Sequence, residues 1–364
     1  MKVAIIGANG FIGTRLVECF HLGGGPEIAA IVRRPSSLAL PARFALDMRV
    51  ADALDADALA RGLAGCQAVV HAALGDTDQI RRMPGVLCRA ADMAGIRRVI
   101  YMSSASVHGQ NAPRGSDEGT PLHTGHALDY NNAKVDAERS FMKECRKRGL
   151  QGFALRPSVV FGPRSHWLSS LAEDLRSGRA WLLNGGMGIC NSIYVDNLVA
   201  AVRACLAAGE GAGGAYHVGD AEVVTWRDFY NALAIDIGAS VGAIKDIEHV
   251  PDFPTTWSER AGRFKANAAV QLALPLVPYS VKRNAKKILS ALMAAPKPDS
   301  WAIPKEPGPH VTREMADLQA CEWRFPSTRA QAELGYVRAV SFAEGMRRTA
   351  AWWRFAHGEF RLAI

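Results

Sequence analysis

An open parallel β-sheet wound by helices on both faces, with a smaller discontinuous C-terminal lobe, is the fold that this sequence predicts. Short apolar runs alternate with amphipathic stretches through the first half; the first run ends in a glycine-rich turn that opens a helix; and the periodicity loosens after Pro157. The chain has 364 residues, 49% hydrophobic and 21% charged, which suffices for a large core and excludes disorder, collagen-like repeats and coiled coil.

Lys2–Ile6 reads as the first strand, apolar from Val3 onward as a strand covered on both faces must be. Phe11–His21 follows as a helix, then the strand Ile28–Val32. The strands Met48–Ala51, Ala68–Ala73, Arg98–Ser103 and Gly152–Arg156 alternate with helices at Asp55–Ala64, Asp78–Ala94 and Asp129–Arg148. Asp55 and Asp129 are expected N-caps, since a short carboxylate accepts from first-turn N–H groups. Farther on, Asn191–Tyr194 and Ala215–Val218 read as strands flanking a helix at Val195–Ala208, whereas 163–190 and most of 220–330 carry no strong period. The expected organisation is an α/β, Rossmann-type domain over 1–162, to which 191–219 returns. A substrate-binding lobe is expected from 163–190 and 220–330, and C-terminal helices over 331–364.

The seven cysteines are scattered singly without a CxxC pair, which points to reduced thiols in a cytoplasm and to no metal site. The strand-like start at Met1 gives no sign of a secretory leader, and the longest apolar stretch, 268–279, is too short to span a bilayer. Of the net charge of +8, residues 1–252 contribute nothing, holding 26 basic and 26 acidic side chains; residues 253–364 hold 17 and 9. So local a surplus is not a nucleic-acid-binding signature.

Gly7-Ala8-Asn9-Gly10-Phe11-Ile12-Gly13 follows the first strand and opens the first helix. Glycines there permit a tight turn and a close approach of backbone to pyrophosphate, and the helix N-terminus offers N–H groups to the phosphates. The second strand ends in Arg33-Arg34, with no acid before Asp47 to accept from a ribose 2′-OH. Two guanidiniums suit a 2′-phosphate, so NADP(H) is favoured over NAD(H).

Tyr130 and Lys134 lie one turn apart on a predicted helix, hence on one face. A phenol with a pKa near ~10 is a poor base at neutral pH, and an adjacent ammonium favours its ionised form. Ser104, at the end of the fifth strand and 26 residues before Tyr130, can hold a carbonyl or alcohol oxygen while Tyr130 exchanges its proton.

Together with Asp52 after the third strand, His71-Ala72-Ala73 after the fourth, the run Leu155–Arg164 and Ile193–Leu198, these motifs resemble the extended short-chain dehydrogenase/reductases. That group is also called the NAD-dependent epimerase/dehydratase family, and the resemblance covers most of the chain. It implies an NAD(P)-dependent enzyme with Ser104, Tyr130 and Lys134 catalytic. It also implies a cofactor held by Gly7, Asn9, Gly10, Phe11, Ile12, Gly13 and Arg33, by Asp52 and Ala53 at adenine, by Ala72 and Ala73, by Tyr130 and Lys134 at the ribose, and by Pro157 and Val159 at the nicotinamide end. The sequence departs from the family at 79–85, where many relatives carry an Asn and a Gly-Thr pair, and at His108, where an aromatic is usual.

Ser106, His108, Arg164 and Asn191 are the candidate substrate contacts, the last two suiting the uridine or pyrophosphate of a nucleotide sugar. A nucleotide-sugar epimerase, dehydratase or reductase is therefore the leading expectation. A steroid- or dihydroflavonol-type ketone/alcohol oxidoreductase is the alternative, since Tyr216–Asp220 and the Trp-rich C-terminal part resemble that branch; a cofactor-binding sensor without catalysis is a lesser one. Residues 279–294 carry an apolar face (Val281, Ala285, Ile288, Leu289, Leu292) opposite Lys282, Arg283, Lys286 and Lys287, a pattern compatible with peripheral membrane contact. From the family, a homodimer through helices 78–94 and 129–148 is expected.

Overall fold

The structure is a computed structural model and describes residues 1–253, 309 and 311–358. The expectations placed on 254–308, the amphipathic stretch 279–294 among them, lie outside the described residues.

Seven strands form one parallel sheet: β1 (Lys2–Ile6), β2 (Glu27–Val32), β3 (Asp47–Val50), β4 (Ala68–His71), β5 (Arg98–Met102), β6 (Gln151–Pro157) and β11 (Gly214–Val218). Their order is β11-β6-β5-β4-β1-β2-β3, and Ile6 stands opposite both Ile31 and His71. The chain winds outward in opposite directions from β1, so a crevice opens beyond the carboxyl ends of β1 and β4, where an open α/β sheet takes its ligand.

Apolar residues on both sheet faces explain the two helical layers. α1 (Phe11–Leu22) and α6 (Val195–Ala207) bury Leu16, Phe20, Leu198 and Val202 against Ile5, Val70 and Ile100. On the other face, α2 (Ala56–Leu63), α3 (Thr77–Met93) and α4 (Asp129–Arg148) bury Leu59, Leu87 and Phe141 against Ile6, Val69 and Val99. Asp55 caps α2, accepting from the N–H groups of Asp57 and Ala58, both at 3.0 Å. Asp129 is not a cap: Leu128 holds that position, and the Asp129 carboxylate accepts from Arg81 on α3 at 2.6 Å. The outward faces of α3 and α4, where the dimer expectation falls, expose Arg82, Arg89, Arg139, Lys143, Arg146 and Lys147.

Beyond β6 the chain builds small two-stranded sheets from β7 (Val159–Phe161) with β10 (Ser192–Tyr194), β8 (Trp181–Leu183) with β13 (Lys245–Ile247), and β9 (Ile189–Cys190) with β12 (Val224–Thr225). Asn191–Tyr194 thus supplies a strand outside the main sheet. α5 (His166–Arg176), α7 (Trp226–Asp236) and a C-terminal helix over Phe342–Ala356 enclose a second core around Phe161, Trp226, Phe229 and Trp353. Two short helices, α8 (Arg313–Gln319) and α9 (Thr328–Leu334), precede that last one, α10. Among the described residues no helix is long and apolar enough to cross a membrane.

Fully buried Asn197 ties the C-terminal segment to the sheet domain. Its Oδ1 accepts from the N–H groups of Ala339 and Val340, both at 3.1 Å, and its Nδ2 donates to Asp220 at 2.7 Å and to the Val340 carbonyl at 2.8 Å. Asn197→Ala strands buried backbone groups, and we expect a loss of about 2–4 kcal/mol, read by urea unfolding.

Candidate active site

The crevice beyond β1 and β4 is a cleft of about 480 Å³, within the size range of cofactor sites. Gly7, Asn9, Gly10, Phe11 and Ile12 form one wall; Arg33, Asp52 and Ala53 close the β2–β3 end; and Ala72 and Ala73 close the β4 side. Gly7 has φ 81°, and a Cβ there would stand 2.8 Å from both N and Cα of Ala73. At Gly13 a Cβ would collide with the Gly7 carbonyl oxygen, so this glycine packs α1 against the turn and does not itself line the cleft. α1 has no side-chain cap, which leaves its first-turn N–H groups for an anion. A bare-backbone cradle at an uncapped helix start fits a dinucleotide pyrophosphate. Ser37, which no sequence motif singled out, also lines the cleft, as does Gln79 at the start of the stretch that departs from the family.

At the end of β5, Ser104 caps a 3₁₀ turn over Ala105–His108, accepting from the Ser106 N–H at 3.2 Å. α4 passes beside this turn and sets the Tyr130 hydroxyl close to that of Ser104. Burial holds the phenol up at about 12, the nearby Ser104 hydroxyl acts against it, and the charge of Glu314 on α8 adds to it. One turn along α4, buried Lys134 donates from Nζ to the Met102 carbonyl at 3.0 Å, with Nζ 5.8 Å from the Tyr130 ring centre. Burial draws this ammonium down to about 8, and Glu138 opposes that. The structure thus brings Ser104, from the end of β5, together with Tyr130 and Lys134 of α4, with β4 supplying buried His71 next to Lys134. Burial and the Lys134 charge press that imidazole to about 4.

Behind these residues runs a buried polar chain. Ser103 Oγ donates to Glu138 at 2.6 Å, Arg156 grips both Glu138 oxygens at 2.6–3.2 Å, and Arg156 Nη1 lies 3.3 Å from His108 Nε2. His108 Nε2 is in turn 3.2 Å from His217 Nε2, whose ring stacks on Phe325 at 4.5 Å.

The model of the NAD dependent epimerase/dehydratase family matches residues 3–219, more than half of the chain, including the cleft and the Ser104, Tyr130 and Lys134 positions. The chain belongs to that family. This epimerase/dehydratase family member is therefore an enzyme of nicotinamide dinucleotide chemistry. It is 26% identical over 378 residues to a 3beta-hydroxysteroid-dehydrogenase/decarboxylase of Arabidopsis thaliana, covering 95% of this chain and 78% of that protein. It is 26% identical over 372 residues to a 2-alkyl-3-oxoalkanoate reductase of Stenotrophomonas maltophilia, covering 96% and 99%. Its fold matches a dTDP-glucose 4,6-dehydratase of Streptomyces venezuelae solved with NAD bound, at TM-score 0.69 and 20% identity over 99% of each chain.

In this family member the expected substrate contacts fare unequally. Asn191 needs correction: its Nδ2 donates to the Trp323 carbonyl at 2.9 Å and its Oδ1 accepts from the Phe325 N–H at 3.0 Å, so the amide is consumed in anchoring the C-terminal segment. Arg164, with φ 73°, turns its guanidinium toward Glu18 of α1 at 3.5 Å. His108 is neutral, pushed down to about 4 by burial and Arg156, so it is not an acid/base poised near neutrality. Ser106 is buried, with its hydroxyl lacking a partner among the described residues. Pro157 and Val159 end β6 and open β7 outside the cleft lining. Sequence reasoning missed Glu138 and Glu314; the signal for the first was its place one further turn along the Tyr130/Lys134 face.

Proposed function

We propose that this enzyme interconverts a secondary alcohol and its ketone on a 3-hydroxy or 3-oxo substrate, using NADP(H). The observation that carries the reading is the Tyr130 hydroxyl set close to that of Ser104, with the buried Lys134 ammonium one helical turn away. When bound, the nicotinamide cofactor supplies or accepts a hydride at the substrate carbon. Ser104 and Tyr130 hold the substrate oxygen between two hydroxyls. Tyr130, a phenol that keeps its proton at neutral pH, gives it to the oxygen as negative charge develops there. Lys134 stabilises the resulting phenolate at close range, and in the oxidative direction the same groups run in reverse.

The substrate class follows from two considerations. Asn191 and Arg164, the candidate contacts for a nucleotide sugar, are engaged within the protein. The relatives aligned along nearly the whole chain are by name a hydroxysteroid dehydrogenase/decarboxylase and an oxoalkanoate reductase. The test is a panel of a 2-alkyl-3-oxoalkanoate, a 3-keto steroid, UDP-glucose and dTDP-glucose with NADPH. Oxidation of NADPH by an oxo compound is expected; turnover of the nucleotide sugars alone would reverse the assignment.

Arg33 at the β2 end of the cleft, with Ser37 beside it, supports NADP(H) over NAD(H). Arg33→Asp is expected to weaken NADPH by about 10–100-fold, the worth of a charge-assisted phosphate contact, and to leave NADH within about threefold, both by fluorescence titration.

A further inference from the structure

We infer that Glu138 is a positioning residue of this site: clamped between Ser103 and Arg156, it keeps the neighbouring Lys134 side chain in its cationic form. α4 carries Tyr130, Lys134 and Glu138 at successive turns of one face, and Lys134 and Glu138 are only 4% and 3% exposed. An ammonium taken so far out of water sheds its proton unless an anion accompanies it. The groups facing Lys134 from its neighbours are the Met102 carbonyl and the Tyr101 ring of β5, His71 of β4, and Tyr130. Tyr101 is raised by burial and His71 lowered, so both are uncharged at neutral pH, as is Tyr130. Glu138, one turn farther along the same helix face and equally buried, is the carboxylate whose charge opposes the burial of Lys134.

The clamp fixes that carboxylate in place. Ser103 occupies one oxygen at 2.6 Å, and the Arg156 guanidinium spans both. Arg156 is held in turn by neutral His108, whose Nε2 accepts from the guanidinium; His217, also kept neutral by burial and Arg156, adjoins that same nitrogen. Glu138 therefore reaches the reaction through the charge of Lys134, without touching substrate.

The inference depends on the proposed function only for its effect on rate, since the protonation of Lys134 can be read without turnover. The experiment is a pH titration of the full chain labelled with [ε-¹³C]lysine, the Lys134 signal being assigned by its loss in Lys134→Met. In Glu138→Gln the midpoint is expected to fall by about one pH unit or more. Because that variant strands the Arg156 guanidinium, Glu138→Gln/Arg156→Met is measured too; it removes the stranded charge and is expected to show a smaller fall of the same sign. Ser103→Ala, which leaves the carboxylate in place, is expected to move the midpoint little. An unchanged midpoint in the folded double variant overturns the inference. A lowered midpoint with an unmoved pH–rate profile upholds it and counts instead against the catalytic reading of Lys134.

Discussion

Tyr130→Phe is expected to lower kcat by about 10²–10⁴-fold, the usual worth of a positioned proton donor, with NADPH affinity within about threefold of the parent. The substitution removes one oxygen and nothing else. The ring keeps its packing against the α3–α4 layer, and Lys134 keeps its bond to the Met102 carbonyl, so cofactor binding has no reason to fail. What is lost is the proton that the phenol holds at neutral pH because burial keeps its ionisation near 12. Single-turnover kinetics with excess enzyme separate this chemical defect from slow product release. Activity undiminished by the substitution would favour the reading of the fold as a cofactor sensor.

The wild-type pH profile carries a sign of its own. Lys134, lowered to about 8, is charged below that pH and loses its charge as pH rises through it. The reductive rate is therefore expected to hold through neutrality and decline above about pH 8.

Gly13→Ala carries the second large effect, an expected weakening of NADPH by about 100-fold, equivalent to about 2.7 kcal/mol. The added methyl would overlap the Gly7 carbonyl oxygen and lie 3.0 Å from Ala8 Cα, both parts of the turn's backbone rather than flexible side chains. Relief requires the first turn of α1 to move away from the β1 turn, which spreads the N–H groups that converge on the pyrophosphate. Gly10→Ala is the internal contrast: its Cβ would stand 3.3 Å from the same oxygen, which a few tenths of an ångström can accommodate, so a milder loss is expected. Isothermal titration of the variants reports both values, and circular dichroism checks that α1 remains folded.

What the sequence made legible was local. β1, the glycine turn and α1 are contiguous, and the Tyr130/Lys134 face follows from helical spacing alone. α5 was legible in principle, with Ser165 as its cap and Leu168, Leu171, Ala172 and Leu175 on its buried side, but the surrounding glycine- and Trp-rich sequence obscured that period. The rest depended on partners distant along the chain. Asn191 reads as an available amide until the backbone of Trp323 and Phe325 occupies it. Asp129 reads as a cap until Arg81 of α3 draws its carboxylate sideways. Helical spacing puts Glu138 on the Tyr130/Lys134 face, but only the packing of β6 on β5 delivers Arg156 and Ser103 to it. Charge burial of that kind is decided by tertiary structure, and no local pattern encodes it.

A crystal structure of the complex with NADP⁺ shows whether Ser104, Tyr130 and Lys134 stand at the nicotinamide. Expected are a pyrophosphate over the Gly7–Gly13 turn and a nicotinamide ring within reach of the Tyr130 hydroxyl, with Lys134 at its ribose. A ring lodged elsewhere, or Tyr130 and Ser104 turned away from it, would overturn the catalytic assignment of these residues.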